Sequence, residues 1–504
     1  MGRTMGWEMG RRSNVLPKAT VKKLALALAV AGVCGWGSMA SAATPASQPS
    51  DNAALLQKVN QLENRVNELE AQQTTTAKKQ QADDDAAAAA AVLHEADTQT
   101  NLLSYSTPML SGYDPNIGFV LRSDDGLFSM RPDVLLDFRE MTSDREKIPP
   151  TAATGGGGVT AKTGYDIQSG FDATRVRFVL SGNYTSQFTY FFQIQDDQGA
   201  GVGLLDAYGL YKFGDGPFYA KFGQFKDPVW HERNLSETSL LAVDRSYVET
   251  LVGGGQTSRV QGAGLVYDQD RFRGQVIYHD GFNSINTPFY DAGGEAAGLG
   301  AGAGVTPTDY GGSARAEYLL VGARDATHHP FAQYDSGFTA LGAKQDIVVV
   351  GGGADYSEAN SNNVLFHSAD ITYQGVNGLS LYGAYLASYR SLNTNQGVAP
   401  GHYYDYGALI QAGYLVTPKF EPFVRYDYTY LPPDSLAPAL GVIDHSVNEI
   451  TVGANYYLYH QNLKMTVDAS WLPNGAPADS TALGILKDSG QNEFLLRAQF
   501  QIFL

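Results

Sequence analysis

From about residue 118 to the end of the chain, apolar and polar residues alternate with a period of two. In residues 128–139, Phe128, Met130, Val134, Leu136 and Phe138 fall on one face, and Ser129, Arg131, Asp133, Asp137 and Arg139 on the other. Leu463, Met465, Val467, Ala469 and Trp471 oppose Lys464, Thr466, Asp468 and Ser470 in the same way. The final segment sets Phe494, Leu496, Ala498, Phe500, Ile502 and Leu504 against Arg497, Gln499 and Gln501. Period two belongs to a strand with unlike faces, and about ten residues is the length at which a tilted strand crosses a bilayer. Continued down the chain, the pattern predicts sixteen strands, near 127–141, 171–181, 187–196, 203–213, 217–226, 259–268, 271–280, 312–320, 346–356, 364–375, 378–388, 404–416, 418–430, 447–457, 462–471 and 493–503.

The connections alternate between short ones, such as 214–216 and 269–270, and long ones at 142–170, 227–258, 281–311, 389–403, 431–446 and 472–492. An even strand count with turns at one rim and loops at the other predicts an all-β fold, a sixteen-stranded antiparallel transmembrane β-barrel. Connection 321–345 departs from this rule: it is long, lies on the short-turn side, and carries His328, His329 and Asp335. The sequence assigns it no role. A soluble lectin-like sandwich would bury its aromatics singly. Here they crowd strand ends, as at Tyr426, Tyr428, Tyr430 and Tyr456, Tyr457, Tyr459, which suits girdles at two membrane interfaces. The chain also ends on an amphipathic strand, Phe503-Leu504, the element that barrel-assembly machinery reads.

Upstream, the pattern is different. Residues 1–42 read as a cleaved secretory signal peptide: Arg11, Arg12, Lys18, Lys22 and Lys23, an apolar core from Leu24 to Val33, and Ala40-Ser41-Ala42 as cleavage site. The core is too short for a membrane anchor. No bulky apolar pair follows Arg11-Arg12 as in a twin-arginine signal, and Val33 stands where a lipoprotein needs a small residue before Cys34. Residues 43–110 form a periplasmic segment in this reading. Leu55, Val59, Leu62, Val66 and Leu69 alternate spacings of four and three, an a/d seam that predicts a short N-terminal coiled-coil helix. Val at a and Leu at d favour dimers. A linker follows, with Asp83 to Asp85 and Ala86 to Ala91. Residues 111–504 are then the barrel.

Composition narrows the function. The chain holds 56 glycines, 30 tyrosines and 23 phenylalanines with 17% charged residues, and its mean hydropathy is −0.22. No apolar run long enough for a membrane helix follows residue 40. A net charge of −17 excludes nucleic acid as partner, since phosphates need a basic footprint. The lone cysteine, Cys34, lies in the leader, so the mature chain has no disulfide and no thiol chemistry. Histidines are scattered without metal-ligand spacing, and neither metal nor cofactor is expected. No nucleophile–base–orienter motif is visible for a barrel enzyme, and sixteen strands suit a channel, because small barrels fill their own lumen.

Three stretches carry a family resemblance: Gly118-Phe-Val-Leu-Arg-Ser-Asp-Asp-Gly126; Lys221-Phe-Gly-Gln-Phe-Lys-Asp-Pro228 running into Leu240-Leu-Ala-Val-Asp-Arg-Ser246; and Asn448-Glu-Ile-Thr-Val-Gly-Ala-Asn-Tyr-Tyr457 with Phe494-Leu-Leu-Arg-Ala-Gln-Phe500. On these, the chain resembles the phosphate-selective porin O/P family. The resemblance implies a homotrimer of outer-membrane barrels, bedded in lipid, in which the third long loop, here 227–258, folds inward to narrow a channel for small hydrophilic or anionic solutes. Asp244-Arg245-Ser246 matches the family's acidic-Arg-Ser step, with aspartate where glutamate is commoner, and Leu504 replaces the usual terminal phenylalanine.

Selectivity in a wet pore follows its diameter and its fixed charges. Beyond residue 109 there are 25 Lys plus Arg against 42 Asp plus Glu, a balance that favours cations. Position reverses this expectation. Arg131, Arg139, Arg175, Arg177, Lys221, Arg273, Arg315, Arg425, Lys464 and Arg497 all fall on the lumen parity as pore-wall candidates, while many acids fall in loops. In and beside the inward loop, Lys226, Arg233, Arg245 and Arg259, with His231, are the constriction candidates. Two arrangements stay open. The arginines form a ladder for oxyanions, or they pair with lumen acids (Asp133, Asp137, Glu317, Asp427, Asp468) and stiffen the wall. Alternatives to an anion-favouring porin are a general or cation-preferring porin and a structural tether acting through the coiled coil.

Overall fold

The computed structural model describes residues 111–504 except 115–117, 124, 146–166, 197–200, 254–257, 282–283, 285–309, 325–329, 360–361, 393–399, 432–445, 476–484 and 486–491. The leader, the coiled coil, and His328 and His329 lie outside the described residues. A hairpin, β1 (Ser111–Asp114) with β2 (Gly118–Arg122), comes first. Sixteen strands then follow: β3 (Ser129–Arg145), β4 (Ile167–Asn183), β5 (Phe188–Gln195), β6 (Gly203–Lys212), β7 (Phe218–Lys226), β8 (Arg259–Gln269), β9 (Phe272–His279), β10 (Tyr310–Val321), β11 (Ile347–Ala359), β12 (Asn362–Gln374), β13 (Leu379–Leu392), β14 (Gly401–Tyr414), β15 (Phe420–Tyr430), β16 (Ser446–Tyr459), β17 (Leu463–Leu472) and β18 (Glu493–Phe503).

Each of the sixteen pairs antiparallel with the next, and β18 returns to β3 with Ala498 opposite Glu140 and Phe500 opposite Phe138. The sheet is therefore a closed barrel. Closure leaves no row of unpaired peptide groups to face lipid. Gly118–Arg122 does not open the first barrel strand, as the pattern of Gly118–Gly126 predicts, but is a separate short strand that pairs with the start of β3, Leu121 opposite Met130. One link on the long-loop rim is only residues 360–361 between β11 and β12.

The period-two pattern appears as two environments. In β3, Val134, Leu136 and Phe138 are exposed on the outer face, while Arg131, Asp133, Asp137 and Arg139 are buried toward the lumen. In β17, Val467 is 46% exposed and its neighbour Asp468 1%. Register pins this: sliding one residue would carry Arg497 and Asp468, which stand opposite each other, onto lipid. Bulges adjust it locally. Between Asp137 and Phe138, β4 carries one extra residue, Thr174. Outer tyrosines form hydrogen-bonded pairs near the loop rim, Tyr385 with Tyr404 at 2.8 Å and Tyr389 with His402 at 3.0 Å, as an interfacial girdle requires.

Val424 lies mid-strand on the outer face of β15, opposite Val452. Val424→Arg is expected to cost about 2–4 kcal/mol in unfolding from lipid vesicles, while the unmutated barrel should migrate differently on gels before and after boiling. An unshifted unfolding midpoint for the variant would mean that this face does not meet hydrocarbon.

Candidate constriction site

The loop leaves β7 at Asp227-Pro228, and its residues 227–253 do not stand above the rim. Asp227 Oδ1 accepts from the Val229 backbone N–H (3.1 Å), turning the chain inward. A short helix, α1 (His231–Asn234), and a 3₁₀ turn, Glu237–Ser239, follow; Ser236 Oγ accepts from the Thr238 N–H. The loop then folds on itself. Ser246 donates from both N and Oγ to the Glu232 carboxylate (2.7 and 2.6 Å), and Arg245 donates to Glu237 (2.7 Å) and to the Leu235 carbonyl (2.7 Å).

Its outer edge is tied to the wall through backbone atoms. Lys464 donates to the Leu240 carbonyl (2.7 Å), Asn455 to Leu241 (2.9 Å) and Arg425 to Asp244 (2.8 Å). The Val243 and Tyr247 N–H groups donate to Asp468 and Asp427. Its apolar side, including Trp230, Leu241 and Val248, packs against Phe366, Tyr382, Leu386, Leu409 and Phe423 of β12–β15. Small wall residues make room: a Cβ on Gly353 would come within 2.5 Å of the Val229 carbonyl oxygen, and one on Gly407 within 2.7 Å of Val248.

At the tip, three guanidiniums converge on Asp244: Arg139 of β3 (2.6 Å), Arg175 of β4 (2.7 Å) and Arg497 of β18 (3.1 Å). Burial alone would raise this carboxyl, but the three cations outweigh it and hold the group well below the usual carboxylate range. Burial would likewise raise Glu237; Arg177, Arg245 and Lys226 reverse that. His231 is driven the other way: burial and the nearby Arg315 push its imidazolium well below the ordinary histidine value, leaving a neutral ring.

All ten wall candidates are buried on the lumen parity, and the eight arginines each face carboxylate. Besides the three at Asp244, Arg131 meets Asp133 (2.7 Å), Arg177 meets Glu237 (2.9 Å), and Arg425 meets Asp427 (3.0 Å) and Glu449 (3.3 Å). Arg273 and Arg315 share Glu317. Lys221 lies over the rings of Tyr208 and Phe225. Of the loop candidates, Lys226 and Arg245 gather with Arg177 around Glu237. Arg233 is held by Glu249 (3.1 Å) and Ser258 (2.6 Å). Arg259 clamps Asp206 of β6 at 2.9 Å. The arrangement is one of paired charges with local cation excess, not of bare arginines.

A closed sixteen-stranded wall with an inward third loop is the arrangement implied by the resemblance, and the family model of phosphate-selective porin O and P matches residues 158–502. The chain belongs to this family. It is thus an outer-membrane porin, a channel for diffusion of solutes. Similar solved structures include the outer membrane channel DcaP of Acinetobacter baumannii (11% identity, 75% of this chain and 99% of that one, TM-score 0.45). An anion-selective porin from Comamonas acidovorans gives 9%, 75%, 100% and 0.46 for the same quantities. Salmonella typhi OmpF in complex with daunomycin gives 14%, 75%, 99% and 0.45. No curated protein matches the sequence.

Several residues of this porin's site were not among the sequence candidates: the acids Asp244, Glu232 and Glu237 as anchors, and the apolar inner patch of β12–β15. The patch did leave a signal, because Val364, Leu365 and Phe366, like Leu381 and Tyr382, put apolar groups on both faces of a strand, which is the pattern of a strand buried on both sides.

Asp244→Asn leaves three buried guanidiniums facing a neutral amide, and should destabilise loop docking by about 3–5 kcal/mol, the usual cost of breaking a buried pair. Bilayer recordings should show larger, noisier openings. A carboxyl with a depressed folded value stabilises the docked state above its ordinary pKa and loses that contribution as pH falls through the folded one. The Asp244 contacts should therefore persist from neutral pH down through the ordinary carboxylate range and weaken only in stronger acid. Quiet, wild-type-sized openings in the variant would show that Asp244 does not hold the loop.

Proposed function

We propose that this porin passes small hydrophilic solutes with a preference for anions, phosphate-like oxyanions among them, as a homotrimer with no catalytic step. One observation carries the reading: at the root of the inward loop Arg177, Arg245 and Lys226 gather around the single carboxylate of Glu237. Lys226 itself donates to the carbonyls of Asn234 (3.3 Å) and Leu235 (2.9 Å), and among the described residues it forms no ion pair of its own. Charges on distant exposed loops act weakly at that point, because the Debye length is about 8 Å at physiological salt. The acidic total of the chain therefore does not set the field at the constriction.

We further read residues 1–42 as a cleaved leader and 43–110 as a periplasmic coiled coil and linker. The first described strand, β1, joins β2 beside the start of β3, at the short-turn rim, which in such barrels faces the periplasm. The Val/Leu seam of the upstream segment suits a role as tether or oligomerising helix, alongside transport. The terminal strand β18 is the part offered to the assembly machinery.

Reversal potentials in a salt gradient test the selectivity. The wild-type channel should prefer anions, and Lys226→Glu should move the potential toward cations without touching Asp244. A wild-type channel that prefers cations would leave a general porin in place of an anion-favouring one. Deleting 51–75 tests the helix: the barrel trimer should persist by light scattering, because a Val/Leu seam of this length favours dimers. A monomeric product would make the coiled coil the trimer determinant.

A further inference from the structure

Residues 322–346 join β10 to β11 at the rim opposite the one where the 227–258 loop enters. They carry a second short helix, α2 (Pro330–Asp335), and then Ser336 to Leu341. Phe331, Tyr334, Asp335 and Phe338 are all buried. Such burial is unexpected for a turn beyond the sheet edge, and the wall strands meet these side chains with lumen-facing groups. Phe331 and Tyr334 pack on Leu319, Ile347 and Val349. Asp335 takes both arms of Arg273 (2.5 and 2.8 Å). Thr339 Oγ1 donates to Glu421 (2.7 Å) and Gln461 donates to the Ser336 carbonyl (2.6 Å). Residues 330–341 are folded up into the barrel.

It meets the loop there. The Phe338 N–H donates to the Ser239 carbonyl at 3.2 Å. The His231 ring stacks on Tyr334 at 4.1 Å between centroids, with planes 10° apart, and Phe338 lies 4.3 Å from Tyr382. Gly337 has φ +127, and a Cβ there would stand 2.4 Å from the Ser239 carbonyl oxygen. Only glycine allows the two backbones this close. The contact also consumes charge: Asp335 and the Tyr334 hydroxyl cover Arg273 and Arg315, two of the ten wall cations.

We propose that residues 330–341 are a second constriction element, inserted from the turn rim to close against the 227–258 loop, so that the two jointly set the solute size limit and Asp335 removes Arg273 from the lumen field. This rests on the reading of the chain as an open channel. Three measurements test it. Replacing 330–341 by a Gly/Ser linker, or the milder Gly337→Val, should give a severalfold rise in single-channel conductance and admit larger sugars in liposome swelling. Asp335→Asn should shift the reversal potential toward anions. With Ser239→Cys and Phe338→Cys in the chain, whose own cysteine lies in the leader, oxidant should cross-link loop to turn in the folded barrel. Heat-modifiable variants with unchanged conductance and size limit would overturn the proposal, as would a folded double-cysteine protein that does not cross-link. A wild-type protein that never conducts would instead overturn the channel reading on which it rests.

Discussion

A bilayer offers no partner to a peptide N–H or C=O, and each group left unpaired in hydrocarbon costs several kcal/mol. Strands that cross it must therefore close on themselves, as β18 does on β3. Everything else follows from that closure. With lipid outside, the outer face must be apolar where it meets hydrocarbon, and charged mid-strand side chains such as Arg497 and Asp468 are turned inward. Sixteen strands enclose a lumen wider than their own side chains fill. Into that space fold the loop 227–258 and the turn segment 330–341, each bringing backbone and side-chain partners to the wall groups that closure had turned inward.

The lumen consequently behaves as a polar core. Its arginines are buried, and a buried charge is tolerated only with a partner at good geometry. The wall and loop supply these partners in interlocking sets: Arg497 takes both oxygens of Asp468 while reaching Asp244, and Arg425 bridges Asp427, Glu449 and the Asp244 carbonyl. The residues that stiffen the wall are the ones proposed to set its selectivity. A cation that braces the wall lends less field to the pore, and the proposed anion preference therefore rests on the excess around Glu237 rather than on the number of arginines.

The wall was legible in the sequence because period two is a local property. All sixteen strands and the lumen parity of their cations were readable, with bounds shifted by a few residues where pairing extends past the membrane, as in β3 and β4; Tyr457, grouped by sequence with the girdles, instead turns into the lumen beside Glu421. The β1–β2 hairpin was missed: four and five residues are too short to establish a period. The loop's inward path came only from family likeness, since nothing local distinguishes a loop that rises from one that sinks. Its anchors were illegible for a physical reason. Asp244 acquires its role from residues 105, 69 and 253 positions away in sequence, and no spacing rule spans such distances. The turn 321–345 was visible as an anomaly of length, and its burial depends on shape, which Gly337 permits without advertising.

The three cations that hold Asp244 come from the first, second and last strands of the barrel. Arg139 and Arg497 stand on the two strands that meet only when the cylinder shuts. A sheet still open at that seam, as a nascent barrel is during insertion, offers the aspartate an incomplete set of partners. Docking of the loop is thereby coupled to completion of the wall. An unsealed barrel still offers the loop its apolar seat on β12–β15, but not the full set of cations around Asp244. The same carboxylate thus joins the loop to both sides of the closing seam.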